Sequence, residues 1–209
     1  MQKILTLPKL ILTEGKNLRQ TIQNRKSVRN FDPEKNLTVR QLATILWATY
    51  GTKISGADTV TSASYAIPSA GGIYPLEIFV VVGRDAIQGE IREGIYRYAP
   101  KNHTLIKVSD SDIRQELSQA CLGQRFIQIA PISIIIAAEP KRMPPRYSDR
   151  TTRYIDMEAG HAAQNLYLIC ADLGLATVEV GAFIDEDTNS LFDSSYPVLL
   201  VMPVGYELK

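Results

Sequence analysis

Arg25, Ser27 and Arg29 alternate along a short basic segment, Arg25-Lys26-Ser27-Val28-Arg29. In an extended chain, residues i, i+2 and i+4 project to one side, so two guanidinium forks would flank a hydroxyl. Guanidinium matches phosphate oxygens bidentately, and the hydroxyl adds a donor. A unit charge pair near 4 Å is worth about 4 kcal/mol at an effective dielectric of about 20, before desolvation. Two arginines can therefore hold a phosphate firmly, although short basic runs also simply solvate helix ends. A second segment, Pro68-Ser69-Ala70-Gly71-Gly72-Ile73-Tyr74-Pro75, sets small residues between two prolines. Its glycines let a flat ligand approach the backbone, and its serine can donate to it. Neither a P-loop nor a dinucleotide fingerprint is present, and a tight structural loop is the bland reading. A third, Val180-Gly181-Ala182-Phe183, puts a glycine where a backbone N–H can face a ligand.

These segments need a frame. Residues 16–24 read as a short helix with Leu18 and Ile22 on one face. Thr38-x-x-Gln41 has capping-box form and opens a helix that runs to Gly51, a plausible stop. Residues 52–75 read as loop with a short helical turn. The β-branched run at 77–83 predicts a buried strand, as does 132–138. Segments 94–98 and 104–108 flank a hairpin turn at 100–103, and 110–122 reads as an amphipathic helix closed by Gly123. Residues 124–129 add a helical turn. A Pro- and Arg-rich loop at 139–153 precedes the longest helix, 154–173, ended by Gly174. Strands are expected at 176–180 and 198–204. Ala159, Gly160 and Ala163 permit close helix approach, as at a subunit interface, and Gly160 implies a packing reason because glycine costs about 1 kcal/mol of helix propensity. His161 alone reads as structural rather than as a base. The whole chain, 1–209, is expected to form one α+β layered domain.

Composition narrows the function classes. Of 209 residues, 45% are apolar and 22% charged, enough to bury a core, and no apolar run is long enough to span a bilayer. The broken apolar stretch at 4–12 lacks the form of a signal peptide. Two distant cysteines, Cys121 and Cys170, give no disulfide framework and fit a reducing cytoplasmic setting as buried thiols. Two histidines make no metal-ligand spacing, so no metal is expected. The net charge of +1 hides two basic segments: 1–40 holds nine Lys/Arg against three Asp/Glu, and 141–153 holds five against one. Short basic segments in an acidic background suit a small anion better than nucleic acid.

In this order, the segments resemble the nitroreductase-like FMN flavoproteins, closest to short stand-alone relatives of the SagB-type dehydrogenases. The matching pieces are Leu7-Pro8, R-K-S-V-R-N-F at 25–31, L-W-A-T-Y-G at 46–51 and P-S-A-G-G-I-Y-P-L-E at 68–77. G-I-Y-R-Y at 94–98, A-P-I-S-I-I-I from Ala130 and R-Y-I-D-M-E-A-G-H-A-A-Q-N-L at 153–166 follow. L-G-L-A at 173–176, V-G-A-F at 180–183 and P-V-G at 203–205 complete the set, which covers nearly the whole chain.

The resemblance implies an α+β fold around a mixed, mainly antiparallel sheet flanked by helices. It also implies a homodimer with the long helix at its interface, and FMN held between the subunits. Arg25, Ser27 and Arg29 would hold the flavin phosphate and pyrimidine edge, with Lys26 a weaker candidate. Pro68, Ser69, Ala70 and Gly71 would meet the flavin of the other subunit. Gly181 and Ala182 would offer backbone N–H groups near flavin N5, the nearest thing to catalytic residues, while Tyr147 or Tyr154 are candidate proton relays. The family's pattern usually adds a C-terminal Lys/Arg pair to the phosphate site. This sequence ends at Lys209, four residues past Gly205, so either Arg150 or Arg153 is expected to take its place or FMN is expected to bind less tightly. The implied activity is ping-pong transfer of electrons from NAD(P)H to a small organic acceptor, nitroaromatic or quinone-like. The basic loop at 141–153 favours NADPH. Two rival readings are a SagB-type azoline dehydrogenase acting on a peptide, and a non-catalytic dimer that has lost its flavin.

Overall fold

The computed structural model describes residues 3–11, 15–52, 65–89, 91–192 and 196–209. In chain order its elements are β1 (Ile4–Thr6), α1 (Leu18–Asn24), β2 (Leu37–Thr38), α2 (Val39–Tyr50), β3 (Leu76–Val82), β4 (Ile87–Gln88), β5 (Gly94–Ala99) and β6 (Thr104–Ser109). They continue with α3 (Arg114–Ala120), α4 (Arg125–Ile129), β7 (Ile132–Ala138), α5 (Thr151–Leu173), β8 (Ala176–Thr177), α6 (Asp185–Ser190) and β9 (Val198–Gly205). Seven strands form one sheet in the order β1-β6-β5-β3-β7-β9-β8, with every pairing antiparallel. The parallel component is a separate two-stranded pair, β2 with β4.

The central strands β3 and β7 are buried along their whole length, which requires cover on both faces. Alternation divides them. Leu76, Ile78, Val80, Ile134 and Ile136 face α2 and α5 in one core with Leu42, Ile45, Ala162 and Leu166. Phe79, Val81, Ile135 and Ala137 face α3 and α4 in a second core with Leu117, Cys121 and Ile127. Their two-residue period thus builds both layers from the same runs. Cys121 and Cys170 are free and buried in these two different cores, and burial pushes the Cys121 thiol up to about 12.

Most elements match their sequence signals. The capping box closes at both ends: Gln41 N–H donates to Thr38 Oγ1 at 3.2 Å, and Thr38 N–H donates to Gln41 Oε1 at 2.9 Å. The 100–103 turn joins β5 to β6, and Gly174 ends α5 in the left-handed conformation, φ 70°.

Four elements differ from their expected bounds. Helix α3 starts at Arg114, because the Asp112 carboxylate accepts the backbone N–H groups of Arg84 and Arg114 and holds 110–113 out of the helix. Two 3-10 turns, Pro140–Arg142 and Pro145–Arg150, occupy the loop, and α5 begins three residues early, at Thr151. The strand expected at 176–180 shortens to β8 plus one bridge, Val180 to Val201. Gly51 is extended rather than left-handed, with φ −77°. A Cβ there would sit 2.6 Å from Trp47 Cα, so close approach explains the glycine. Of the loop expected at 52–75, residues 53–64 lie outside the described residues; the remainder holds a 3-10 turn at Ala70–Gly72. Among the described residues, no helix is long and apolar enough to cross a membrane.

Gly205, at the end of β9, abuts the 25–31 segment that matters below. A Cβ there would lie 2.7 Å from Pro131 Cδ and 3.2 Å from the buried Phe31 ring. Gly205→Ala is therefore expected to cost about 1–3 kcal/mol by overpacking. Urea unfolding should show a lowered midpoint at unchanged slope.

Candidate functional site

The 25–31 segment leaves α1 at Arg25 and runs extended beside β8, with Ser27 bridged to Thr177 in parallel and Val28 N–H donating to Thr177 O at 3.0 Å. Val28 is buried while Ser27 and Arg29 are exposed, which is the alternation expected of an extended strand. Lys26 pairs with Glu207 at 2.6 Å. Arg25 lies over the ring of Tyr167, its Cζ 5.2 Å from the ring centre, a cation–π contact. The Tyr167 hydroxyl is 3.0 Å from Ser27 Oγ and accepts the Glu179 N–H at 2.7 Å.

Tyr167 was not among the expected site residues. It sits inside the apolar half of α5, where its period marks it as core. Its hydroxyl, however, ties the basic segment to the 177–182 segment. At that segment's end Gly181 and Ala182 are exposed. No described residue accepts a hydrogen bond from either N–H, whereas Ala182 O accepts one from Gln124 at 3.1 Å. Arg25 and Ser27 on one side and the 177–182 segment carrying Gly181 and Ala182 on the other are thus linked through Tyr167. They present guanidinium, hydroxyl and unused backbone donors, a set suited to an anionic planar ligand.

The 68–75 loop is anchored elsewhere. Gly71 and Gly72 are left-handed, with φ 63° and 66°, and a Cβ on Gly71 would collide with the Tyr147 hydroxyl. Ser69 Oγ accepts the Tyr74 N–H at 2.8 Å. Tyr50 donates to Oε1 of Glu158 on α5 at 3.1 Å and accepts the Leu76 N–H at 3.0 Å. The Leu76 end of the loop is therefore tied through Tyr50 to a carboxyl group that is only 2% exposed. Burial pushes the Glu158 carboxyl up, and the neighbouring Ser69 and Tyr50 hydroxyls partly offset that. Tyr147 packs edge-on against Tyr154, 5.2 Å between ring centres, next to Gly71.

The two groups of residues are not brought together within one chain. Glu158 and Tyr167 are nine residues apart on α5, about 13 Å along its axis. Arg153 is fourteen residues from Tyr167, about 21 Å, so it does not reach the Arg25 crevice of its own chain. Arg150 lies beyond it, in the preceding 3-10 turn. His161 lies exposed on α5, among neither group.

Glu158 makes stability depend on pH. Its raised carboxyl keeps a proton in the folded state that the unfolded chain has released, so stability falls as pH rises through the window above the usual carboxylate range. Glu158→Gln is expected to flatten that slope. Glu158→Leu strands the Tyr50 hydroxyl and should cost about 1–3 kcal/mol at every pH. Urea melts of the three proteins from pH 4.5 to 8 check both.

Comparison with known proteins places the fold. The model of the Nitroreductase family matches residues 22–206. A provisionally named nitroreductase from Methanocaldococcus jannaschii is 44% identical over 193 residues, covering 92% of each chain. A nitroreductase-family crystal structure from Ralstonia eutropha superposes with a TM-score of 0.81 at 27% identity, covering 99% of this chain and 90% of that one. Two more distant structures share the fold. One is an FMN complex from Desulfovibrio desulfuricans, with TM-score 0.60, 17% identity and coverage of 94% and 89%. The other is the Escherichia coli microcin synthetase McbBCD bound to truncated pro-MccB17, with TM-score 0.73, 19% identity and coverage of 97% and 76%.

Proposed function

The chain belongs to the nitroreductase family, and from that premise we propose that it is an FMN-dependent oxidoreductase. It takes electrons from NAD(P)H and passes them, in two alternating half-reactions, to a small organic acceptor. The observation that carries this reading is the Tyr167 hydroxyl, which joins the arginine segment to the strand end where Gly181 and Ala182 hold unused N–H groups. FMN, when bound, supplies hydride acceptance at N5. Arg25 and Ser27 hold its phosphate, and Arg29 approaches the ring edge where negative charge grows on reduction. Lys26 serves mainly to fix the segment through Glu207. Gly181 and Ala182 donate backbone N–H groups toward N5.

The protein acts as a homodimer. The apolar side of α1 supports this, since Leu18 and Ile22 are 65% and 55% exposed. Leu18 also lines an apolar cavity of about 770 Å³ with Ile11, Trp47, Leu168 and Ile169. Gly160 faces open space on the exposed strip of α5 that also carries Met157. Pairing two chains lets the Pro68–Gly71 loop of one meet the Arg25 crevice of the other, which one chain alone does not do. Arg153 then contributes, if at all, from across the interface.

The purified protein should be yellow, bleach anaerobically on adding NAD(P)H, and sediment at twice the chain mass. Arg25→Glu should abolish FMN uptake, read by absorbance after gel filtration. A colourless wild type that takes up no added FMN overturns the proposal and favours a scaffold without flavin. The SagB resemblance supplies a second reading, oxidation of azoline rings in a peptide; a two-dalton loss per ring in mass spectra separates it from small-acceptor reduction.

A further inference from the structure

A second concavity, away from the Arg25 crevice, opens between the 72–78 segment, the β5–β6 hairpin and Arg142. It measures about 610 Å³, within the range of small-molecule sites. Tyr65 and Tyr74 form one wall, stacked 3.9 Å apart at 18°, and Tyr50 and Tyr98 also line it. Tyr74 holds a left-handed φ of 56°, a conformation disfavoured outside glycine. The neighbours fix it there: Tyr74 N–H donates to Ser69, and Tyr74 O accepts from Arg142 at 3.2 Å.

The charges lining this cavity are unequal. Arg97, Lys101 and Arg142 face one carboxylate, Glu77. Arg142 is fully engaged, bonding Glu77, Glu139 at 2.6 Å and Tyr74 O. Arg97 touches Glu77 only at 3.9 Å, which leaves most of its donors uncommitted. Lys101, exposed on the hairpin turn at the rim, pairs with no carboxylate among the described residues. Positive charge in a concave site with low-dielectric walls concentrates anions. A guanidinium fork matches a carboxylate bidentately, and a flat aromatic wall suits a flat aromatic body.

We propose that this cavity is a binding site for a small aromatic carboxylate, with Arg97 and Lys101 receiving the carboxylate and the Tyr65–Tyr74 wall receiving the ring. The site borders the 68–75 loop on the side of Tyr50 and Leu76 and shares no lining residue with the arginine crevice of its own chain, so its occupation is expected not to require FMN.

The test is isothermal titration of the FMN-saturated protein with 2-naphthoate and with its neutral counterpart 2-naphthylmethanol. The acid should bind at least about tenfold more tightly than the alcohol, since a hydrogen bond between charged groups is stronger than one to a neutral hydroxyl, and it should weaken with added salt. In Arg97→Gln/Lys101→Gln the preference should fall to within about twofold, with FMN absorbance unchanged. Lys101→Gln alone, on the exposed turn, gives a partial loss and serves if the double variant does not fold. Arg25→Glu, which removes FMN uptake under the function proposed above, should still bind 2-naphthoate, so failure of one proposal is distinguishable from failure of the other. Equal affinity for acid and alcohol, no binding of either, or acid binding undiminished in the Arg97 and Lys101 variants overturns the inference.

Discussion

The crevice depends on one buried hydroxyl. Tyr167 lies in the apolar half of α5, yet its oxygen reaches Ser27 and the Glu179 N–H while its ring carries Arg25. A phenol is among the few side chains able to do this, because it buries a large apolar body and keeps a polar tip. Without that tip the 25–29 segment would be held to β8 by backbone bonds alone. The guanidinium of Arg25 would then have no surface to define its direction. The order of cause runs from helix packing, to the position of one oxygen, to two loops meeting.

Glu158 plays the matching part nine residues away, toward the other end of the same helix. A carboxylate with 2% exposure is costly to bury, and it persists where hydrogen bonds repay part of the desolvation. Here the Tyr50 hydroxyl supplies such a bond, and through it the start of β3 is fixed to α5. One helix therefore carries a polar anchor for each half of the site. The halves face different directions along it, and pairing of two copies is what brings complementary halves together under the proposed function.

The fold was largely legible because its strongest signals are local. Runs such as Ile132–Ala138 have one reading, and Thr38 with Gln41 states where a helix begins. The failures were at places where a distant partner decides. Asp112 delays α3 because Arg84, far along the chain, supplies a competing N–H. The apolar pair Leu18 and Ile22 has helical spacing, yet it faces outward from its own chain. Gly51 does end α2, but in an extended conformation, and the nearby Trp47 backbone is what requires a glycine there.

For the site, residue types were readable and relationships were not. The alternation of Arg25, Ser27 and Arg29 states a capacity for binding an anion, since that follows from side-chain chemistry and a two-residue period. The left-handed glycines of the 68–75 loop are likewise written in its composition. Tyr167 and Glu158 carry no such mark, because a tyrosine and a glutamate in a helix have many uses. Their roles arise only when α5 packs against the sheet and the loops close over their polar atoms. Local chain chemistry thus determined which groups could bind, and tertiary packing decided which of them share a site, because that depends on burial and on distances that sequence spacing does not encode.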